Sequence, residues 1–538
     1  MVESIHFRPG KENPLKILFY FNLTIIFAFT IALPIVTRYS FSCTDVIEIP
    51  ENECEALVAL YDATNGDGWA NHSNWLATNT PSDWYGLTVA EGHVASIILE
   101  SNHMVGTIPA QTGDFSGLVS LNLAGNLLSG SIPPELGNLA SLEYLVIIGT
   151  QLSGSIPPEL GNLTKLIKLD LGFNLISGDV PRELGNLINL KTLWLTSDKF
   201  TGNIPPELGK LINLVSLSIC YSDVIGSIPP ELGNLVNLED LCLSDNQLTG
   251  SIPSEIGNLV HLKTLTLSRN KLSGNLPPGL GNLTNLAVLD LNSNLLSGSI
   301  PSELGNLIHV ERLDLSINQF TGNIPPEFGN LASLSTLNLS NNQLSGNIPS
   351  QMGNLSNLTW LYMPYNQLNG SIPVEISKLQ NLVVLNLSSN QLGGCIPADL
   401  GSMKNLSTLV LSKNQLSCRI PSGLSDLFSL HFLDLSWNKL NGYIPSALGF
   451  MTNLNGLYLQ NNHLSGSIPE TFINLVNLAD PGQYFGGDGL DLDYNYLNIP
   501  PAYPDPSIPF QVFLSQKDLD WHLRQTIFQQ AFIPVVKR

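Results

Sequence analysis

The chain has 538 residues, of which 12% are charged and 43% are hydrophobic, and its formal net charge is −21. An acidic surface that is poor in charge does not suit nucleic-acid phosphates, so we expect no nucleic-acid partner. The hydrophobic fraction excludes a largely disordered chain. Length alone suggests several globular domains, but a repeating sequence grows without enlarging a single core.

Residues 1–42 are predicted to be a cytoplasmic tail followed by a signal peptide or signal anchor. Basic residues precede an apolar run over Ile17–Val36, and only Arg38 lies close behind it. This basic bias keeps the N-terminus inside and exports the remainder to the extracellular space or the cell surface. Three alternatives stay open: a signal peptide cleaved after Ser40-Phe41-Ser42, a lipid anchor on Cys43, and an uncleaved membrane anchor.

Residues 43–93 are predicted to form an N-terminal cap in front of the repeats. Apolar residues at helical spacing, including Leu57 and Leu60, predict a helix there. Three large aromatic residues follow, and they are suited to covering the open end of the first repeat: Trp69, Trp75 and Trp84.

Residues 94–499 consist of about 17 copies of one unit, LxxLxLxxNxLSGxIPxxLGNLxx. Sixteen positions of the asparagine type follow each other at intervals of 24 residues, from Asn102 to Asn462, and a further copy contains Asn495. We call each copy a rung and number the rungs from the one that contains Asn102. One rung has too small a core to fold alone, so the period predicts a stacked solenoid.

Each part of the unit has a predicted structure. The LxL core alternates with period two, so it is a short strand whose leucines point inward, and successive strands stack into a parallel sheet. The segment IPPELGNL predicts a short helical turn, because proline suits its start and glycine its end.

The asparagine follows the strand, where its amide can bond to the backbone of its own rung and of neighbouring rungs. We therefore predict an asparagine ladder. Replacements occur at Thr150, Asp198 and Ser222, and we expect the Ser222 hydroxyl to donate to Asp198. The predicted ladder residues are Asn102, Asn126, Asn174, Asn246, Asn270, Asn294, Asn318, Asn342, Asn366, Asn390, Asn414, Asn438, Asn462 and Asn495.

The LxGxIP segment resembles that of the plant-type extracellular leucine-rich repeat class. This class includes ectodomains of receptor kinases, receptor-like proteins and polygalacturonase inhibitors. The resemblance implies an α/β solenoid, a right-handed superhelix whose parallel sheet lines the concave side. It also implies short helical turns on the convex side, a second short sheet formed by the LxGxIP segments, and caps at both ends.

Residues 500–538 are predicted to form a C-terminal cap or tail. A proline-rich stretch precedes DLDWHLRQTIFQQAFI, whose pattern is typical of an amphipathic helix. We expect neither a membrane span after the repeats nor a kinase domain.

We predict no catalytic residue, metal site or cofactor, and therefore a protein that is not an enzyme. The histidines have no metal-ligand spacing, and neither a nucleophile elbow nor a phosphate-binding loop occurs. Asp491, Asp493 and Asn495 resemble the start of a calcium loop, but the glycine that should follow Asn495 is missing. We interpret them as outward strand residues and the last ladder asparagine.

The six cysteines include no CxxC pair, which disfavours a zinc site. Two pairs lie in neighbouring rungs and one lies in the cap, where lipidation of Cys43 would prevent pairing. Three disulfides are therefore possible, with free thiols as the alternative: Cys43–Cys54, Cys220–Cys242 and Cys395–Cys418.

Most outward positions of the predicted sheet are small and polar, and aromatic residues are the exception. Exposed aromatics anchor peptides and stack on sugar rings. The alternative is that they pack on one another across rungs and only stabilise the sheet. The ligand-binding candidates are Trp194, Tyr221, Trp360, Tyr362, Tyr365, Phe432, Trp437 and Tyr458.

These observations predict a secreted or surface-anchored, non-enzymatic module that recognises a protein, peptide or glycan on its concave face. Two alternatives stay open: an inhibitor of a wall-degrading glycosidase, as polygalacturonase inhibitors are, and a structural or adhesion protein. The membrane is expected to be contacted only through the N-terminal segment. The sequence leaves the oligomeric state open.

Overall fold

The computed structural model describes residues 41–196, 198–479, 489–498 and 507–518. The chain divides into two compact units, 1–42 and 43–538, of which the second is described below. The apolar run over Ile17–Val36 lies outside the described residues, as does the C-terminal amphipathic helix predicted beyond Asp518. Among the helices in the described ranges, none is long and apolar enough to cross a membrane.

One long sheet of 18 strands runs through the repeats, as the LxL pattern predicts. Its first two strands are antiparallel, and every later pair is parallel with the register unchanged from rung to rung. Leu217 thus lies opposite both Leu193 and Leu241, and all three are fully buried. The strands are Leu87–Ala90, His93–Ile98, Ser120–Asn122, Tyr144–Val146, Lys168–Asp170, Thr192–Trp194, Ser216–Ser218, Asp240–Cys242, Thr264–Thr266, Val288–Asp290, Arg312–Asp314, Thr336–Asn338, Trp360–Tyr362, Val384–Asn386, Thr408–Val410, Phe432–Asp434, Gly456–Tyr458 and Leu490–Asp491.

The LxGxIP segments add a second layer of short parallel strands beside the long sheet, as the resemblance implies. In the described part of the chain they form sheets of two, two, five and three strands. In order, these are Val105–Thr107 with Leu127–Ser129; Ser177–Asp179 with Lys199–Thr201; Ser273–Asn275, Leu295–Ser299, Gln319–Gly322, Gln343–Asn347 and Gln367–Asn369; and Asn441–Tyr443, His463–Gly466 and Tyr496–Leu497.

Rungs 1–16 each close through a five-residue 3₁₀ helix. A proline with φ near −65° precedes it, for example Pro229, which starts the chain in a helix-compatible conformation. Glycine is required inside it at Gly233, because an added Cβ would lie 2.5 Å from the Glu255 carbonyl oxygen of the next rung. The helices are Ala110–Asp114, Pro134–Asn138, Pro158–Asn162, Arg182–Asn186, Pro206–Lys210, Pro230–Asn234, Ser254–Asn258, Pro278–Asn282, Ser302–Asn306, Pro326–Asn330, Ser350–Asn354, Val374–Lys378, Ala398–Ser402, Ser422–Asp426, Ser446–Phe450 and Glu470–Asn474.

The N-terminal end of the repeats is covered by the α-helix Glu51–Ala63 and an aromatic cluster. The ring of Tyr61 lies 5.1 Å from Trp69 and 5.9 Å from Trp75, and Trp75 lies 5.1 Å from Trp84. All three tryptophans are buried. Short 3₁₀ turns complete this region at Cys43–Asp45, Gly66–Gly68 and Pro81–Asp83.

A single carboxylate joins the cap helix to the first rungs. Glu53 is fully buried, and its oxygens accept hydrogen bonds from the backbone N–H of Val94 at 2.8 Å and from the hydroxyl of Ser116 at 2.9 Å. The ring nitrogen Nδ1 of His93 lies 2.8 Å from the same carboxylate. Sequence reasoning missed Glu53, although a signal was available: it precedes Leu57 by four residues and Leu60 by seven, so it lies on the apolar face of the helix, unlike the exposed Glu51 and Glu55.

At the other end, the α-helix Pro509–Lys517 lies against the last rungs. The ammonium of Lys517 donates to the Leu478 carbonyl oxygen at 2.8 Å, and the Asp518 carboxylate accepts from the Leu492 N–H at 2.8 Å.

The six cysteines form three disulfides, and the described residues contain no free cysteine. One bond lies within the cap, and two join neighbouring rungs: Cys43–Cys54, Cys220–Cys242 and Cys395–Cys418.

Replacing Glu53 with alanine leaves the buried N–H of Val94 without an acceptor and removes the hydrogen bond from the Ser116 hydroxyl. We expect the substitution to lower the free energy of unfolding by about 3 kcal/mol, since each unsatisfied buried group costs on the order of 1–3 kcal/mol. Thermal unfolding followed by circular dichroism measures the loss. Glu51→Ala, on the exposed face of the same helix, is the matched control, and equal destabilisation by both substitutions would contradict this role.

Candidate binding surface

We call the exposed side of the long sheet the concave face. Along its edge, side-chain amides form hydrogen bonds with the backbone of neighbouring rungs. In rung 8, the Asn270 amide nitrogen donates to the carbonyl oxygens of Leu243 at 2.9 Å, Leu267 at 3.1 Å and Ser268 at 3.3 Å. Its amide oxygen accepts from the Leu248 N–H at 2.9 Å. Every amide therefore ties its own strand end to that of the preceding rung.

The same pattern recurs at the other predicted ladder asparagines from rung 2 onward, including Asn126 and Asn495. In rung 1, Asn102 bonds instead to the backbone of Asn71 in the cap. In rungs 3, 5 and 6 the ladder asparagine is replaced, so these rungs lack the amide. The Thr150 hydroxyl donates to the Asn174 amide oxygen.

The expected hydrogen bond from Ser222 to Asp198 is wrong. The Oγ of Ser222 and the Oδ2 of Asp198 are both buried without a partner. Ladder side chains bond toward the preceding rung, so Asp198 Oδ1 accepts from the N–H groups of Asn174 at 3.1 Å and Ile176 at 3.2 Å. The serine side chain is too short to reach back in the same way.

Burial raises the pKa of Asp198 from 3.8 to about 7, although the N–H groups of Ile176 and Asn174 oppose this shift. Oδ2 stands where the other rungs place an amide nitrogen facing carbonyl oxygens. Only the protonated carboxyl can donate there, so ionisation costs free energy.

Replacing Asp198 with asparagine should restore the missing donor. Because the folded chain holds the Asp198 proton more tightly than the unfolded chain does, stability is highest below the unfolded pKa of 3.8 and falls as pH rises to about 7. Asp198→Asn should remove this dependence and add about 1–3 kcal/mol at pH 8. Melting temperatures across the pH range measure both effects.

The control for this substitution is Asn270→Asp, which should create the same defect in an intact rung. An unchanged pH dependence in Asp198→Asn, or a lower melting temperature at pH 8, would show that the carboxylate is not the cause.

Rungs 4–10 place ion pairs on the concave face. In rung 4, Lys168 lies 3.3 Å from Asp170, and in rungs 7 and 8 Arg269 lies 3.5 Å from Asp245. In rungs 9 and 10, Arg312 lies 3.4 Å from Asp290. Burial and then the neighbouring Asp314 charge raise the pKa of Asp290.

The aromatic candidates of this half are Trp194 and Tyr221. Trp194 is half-buried: its indole N–H donates to the Ser216 hydroxyl at 2.9 Å, and the Lys168 ammonium lies 4.6 Å from its ring centroid. The Tyr221 ring is more accessible, at 37% exposure.

Sequence reasoning missed two neighbours of this aromatic pair, Tyr144 and Phe173, which are 40% and 41% exposed. The signal was available, because both occupy outward positions of the unit: Tyr144 begins a strand, and Phe173 stands before a ladder asparagine.

The other six candidates lie in rungs 12, 15 and 16. In rung 12, Trp360 and Tyr362 are the two outward residues of one strand, and Tyr365 is 56% exposed. The structure does not bring this group together with the next one, since the strands Val384–Asn386 and Thr408–Val410 lie between them.

In rungs 15 and 16, the rings of Phe432 and Tyr458 lie 5.2 Å apart. Gly456 makes this contact possible, because an added Cβ would lie 2.9 Å from both side chains. Trp437 is 54% exposed.

A second row of asparagines ties the rungs together on the side of the 3₁₀ helices, and sequence reasoning missed it. Asn213 donates to the Ile188 carbonyl oxygen at 2.8 Å, and Asn237 donates to that of Ile212 at 2.8 Å. The signal was an asparagine recurring 15 residues after the ladder position. The row comprises Asn189, Asn213, Asn237, Asn285, Asn357, Asn381, Asn405, Asn453 and Asn477.

The Glu53, His93 and Ser116 contacts do not have the arrangement of a catalytic triad. Ser116 Oγ and Glu53 both approach Nδ1 of His93, at 3.2 and 2.8 Å. Proton relay to a serine needs the hydroxyl and the carboxylate on opposite ring nitrogens.

Asp491, Asp493 and Asp518 bring carboxyl oxygens within 4.8 Å of one another. Asn495, the other member of the calcium-like motif, donates its amide to Leu459 and Leu492 as a ladder residue.

Models of the leucine-rich repeat match eleven segments of the chain. The chain belongs to the leucine-rich repeat family. One model matches residues 212–272, 308–368 and 332–392, and another matches residues 117–139, 141–163, 165–187, 189–211, 285–307, 405–427, 429–451 and 453–475.

Solved structures similar to this leucine-rich repeat chain include plant receptor ectodomains. The plant peptide hormone receptor RGFR1 in complex with RGF2 is 35% identical, with a TM-score of 0.68 over 74% of this chain and 66% of that one. The chain thus spans just under two thirds of the RGFR1 chain. The Arabidopsis receptor kinase HAESA, in complex with the peptide hormone IDA and the co-receptor SERK1, is 28% identical, with a TM-score of 0.55 over 83% of this chain and 90% of that one.

A bacterial structure is also similar. The Leptospira interrogans leucine-rich repeat protein LIC12759 is 32% identical, with a TM-score of 0.54 over 72% of this chain and 93% of that one. Among curated proteins, no relative matches the chain. The described residues contain no kinase domain.

Proposed function

We propose that this leucine-rich repeat chain is a non-enzymatic binding module, displayed outside the cell, that recognises an extended peptide on its concave face. The observation that carries the proposal is the similarity to RGFR1 and HAESA, both solved in complex with peptide hormones. The glycosidase-inhibitor alternative is not favoured, since the relatives whose ligands are named bind peptides.

The peptide site we propose lies in rungs 3–10, where rings and charges alternate. Tyr144, Phe173, Trp194 and Tyr221 offer apolar area for side chains of the peptide. The ion pairs of rungs 7–10 offer both signs of charge to its polar groups. This mixture suits a peptide, whose side chains differ from one residue to the next.

The hydrogen bonds between rungs explain why the concave face can bind a peptide with little loss of conformational entropy. Each outward side chain of this site stands on a strand held by the register of the long sheet, and ladder amides add to this in rung 4 and in rungs 7–10. A rigid surface does not have to be ordered when the peptide arrives.

Selection of a random peptide library against the full chain tests the proposal. We expect peptides that bind saturably, and we expect Trp194→Ala and Tyr221→Ala each to weaken binding by about tenfold or more, as for central aromatic contacts. Isothermal titration calorimetry measures the affinities, and melting temperatures verify that the variants are folded.

Ile212→Ala, an exposed apolar residue on the side of the 3₁₀ helices, is the control and should leave the affinity unchanged. The proposal fails if no peptide binds saturably, or if selected peptides bind both aromatic variants as tightly as the unaltered chain.

A further inference from the structure

The charge of the concave face changes abruptly between rung 10 and rung 11. The strand and turn segments of rungs 7–10, residues 239–247, 263–271, 287–295 and 311–319, contain ten charged residues. The same four segments of rungs 11–14 contain one, Lys413. Since the fold is the same in both halves, the difference lies in what the face presents to a ligand.

Five glutamines form a row along the edge of this neutral region and of the charged rung 10 beside it. Each directly follows a ladder asparagine in rungs 10–14: Gln319, Gln343, Gln367, Gln391 and Gln415. All five are exposed. Within the described residues the first four side-chain amides make no hydrogen bond, and Gln415 accepts from the Lys439 ammonium at 3.3 Å. Each of the four amides can therefore offer two donors and an acceptor to a ligand.

The backbone places these amides at regular intervals. The Gln391 N–H bonds to the Leu368 carbonyl oxygen at 2.8 Å, and the Gln415 N–H bonds to that of Leu392 at 2.8 Å. Successive amides therefore stand one rung apart, a distance of about 4.8 Å between neighbouring strands. A ligand that meets every amide of this regular row in the same way therefore needs a repeat of about 4.8 Å along its chain.

Two accessible rings accompany the row. Tyr365 and Trp437 each stand directly before a ladder asparagine with φ of 56° and 54°, and more than half of each side chain is exposed. They lie three rungs apart, or about 14 Å at the strand spacing. Flat, exposed rings bind the apolar faces of sugar rings, whereas amides bind hydroxyl groups.

We propose that the glutamine row of rungs 10–14, together with Tyr365 and Trp437, binds a neutral polysaccharide whose chain runs across the strands. One sugar unit of an extended chain is close in length to one rung, so each unit meets one glutamine amide. A polyanion is disfavoured, because few cations lie along the row: Lys413 is the one cation of the neutral segments, and Lys439 donates to Gln415 at its end. This site shares only rung 10 with the proposed peptide site, whose aromatic residues lie in rungs 3–6, and neither site requires the other.

Titration of the full chain with soluble oligosaccharides tests this site. The probes are cellohexaose and laminarihexaose as neutral chains and hexagalacturonate as a charged chain of equal length. We expect saturable binding of a neutral hexamer, weaker binding of the corresponding trimer, and none of hexagalacturonate. Tyr365→Ala and Trp437→Ala should each weaken binding by about tenfold, as should the paired substitution Gln367→Ala with Gln391→Ala.

The matched control is Gln151→Ala, which occupies the same place of the unit in rung 3, is exposed, and should bind as the unaltered chain does. The proposal is overturned if neither neutral hexamer binds, if hexagalacturonate binds more tightly than both, or if the aromatic and glutamine variants retain full affinity. Trp194→Ala separates the two sites, since it should weaken peptide binding and leave oligosaccharide binding intact.

Discussion

The hydrogen bonds of one side-chain amide per rung are the interaction on which the rest of the structure depends. Asn270 shows why: it serves three carbonyl oxygens and one N–H group on two rungs at once. The chain can therefore turn after a three-residue strand without leaving its buried backbone groups unsatisfied. The amide recurs in most rungs at intervals of 24 residues, and the register stays the same even across rungs 5–7, so every outward side chain is presented from the same backbone.

Where the amide is absent, other bonds hold neighbouring rungs together. The Cys220–Cys242 disulfide links rung 6 to rung 7 beside Ser222, which has lost the amide. Cys220 Sγ also accepts from the Ser244 N–H at 3.2 Å. Asp198 keeps the accepting half of the interaction and loses the donating half, and burial raises the pKa of its carboxyl to about 7. Within this constant frame, the charged half and the neutral half of the concave face suit ligands of different chemistry.

The 24-residue period was enough to predict the strands, the buried leucines, the short helical turns and the direction of the sheet, because each is a local property of the repeated unit. Individual contacts between residues of different rungs, or between the cap and the rungs, could not be predicted from the repeated unit. Glu53 lies on the side of the helix that meets the first rungs, whereas Glu51 lies on the exposed side. The Ser222 hydrogen bond is missing because a serine side chain is too short to reach the preceding rung. The exposure of Trp194 depends on Lys168, one rung away. The second row of asparagines could have been predicted from its constant spacing after the ladder position, although no known motif marks it.

Hydrogen–deuterium exchange of the intact chain, resolved by rung, tests the central role of the ladder most directly. Strand-end amides that donate to a ladder oxygen, such as Leu248 and Leu272, should exchange slowly and to a similar extent in every rung with an intact asparagine. Exchange should be fastest around Phe200 in rung 5, where Ser222 replaces the asparagine that would accept. Uniform protection across rungs 2–16, with no faster segment near Asp198 and Ser222, would contradict the account.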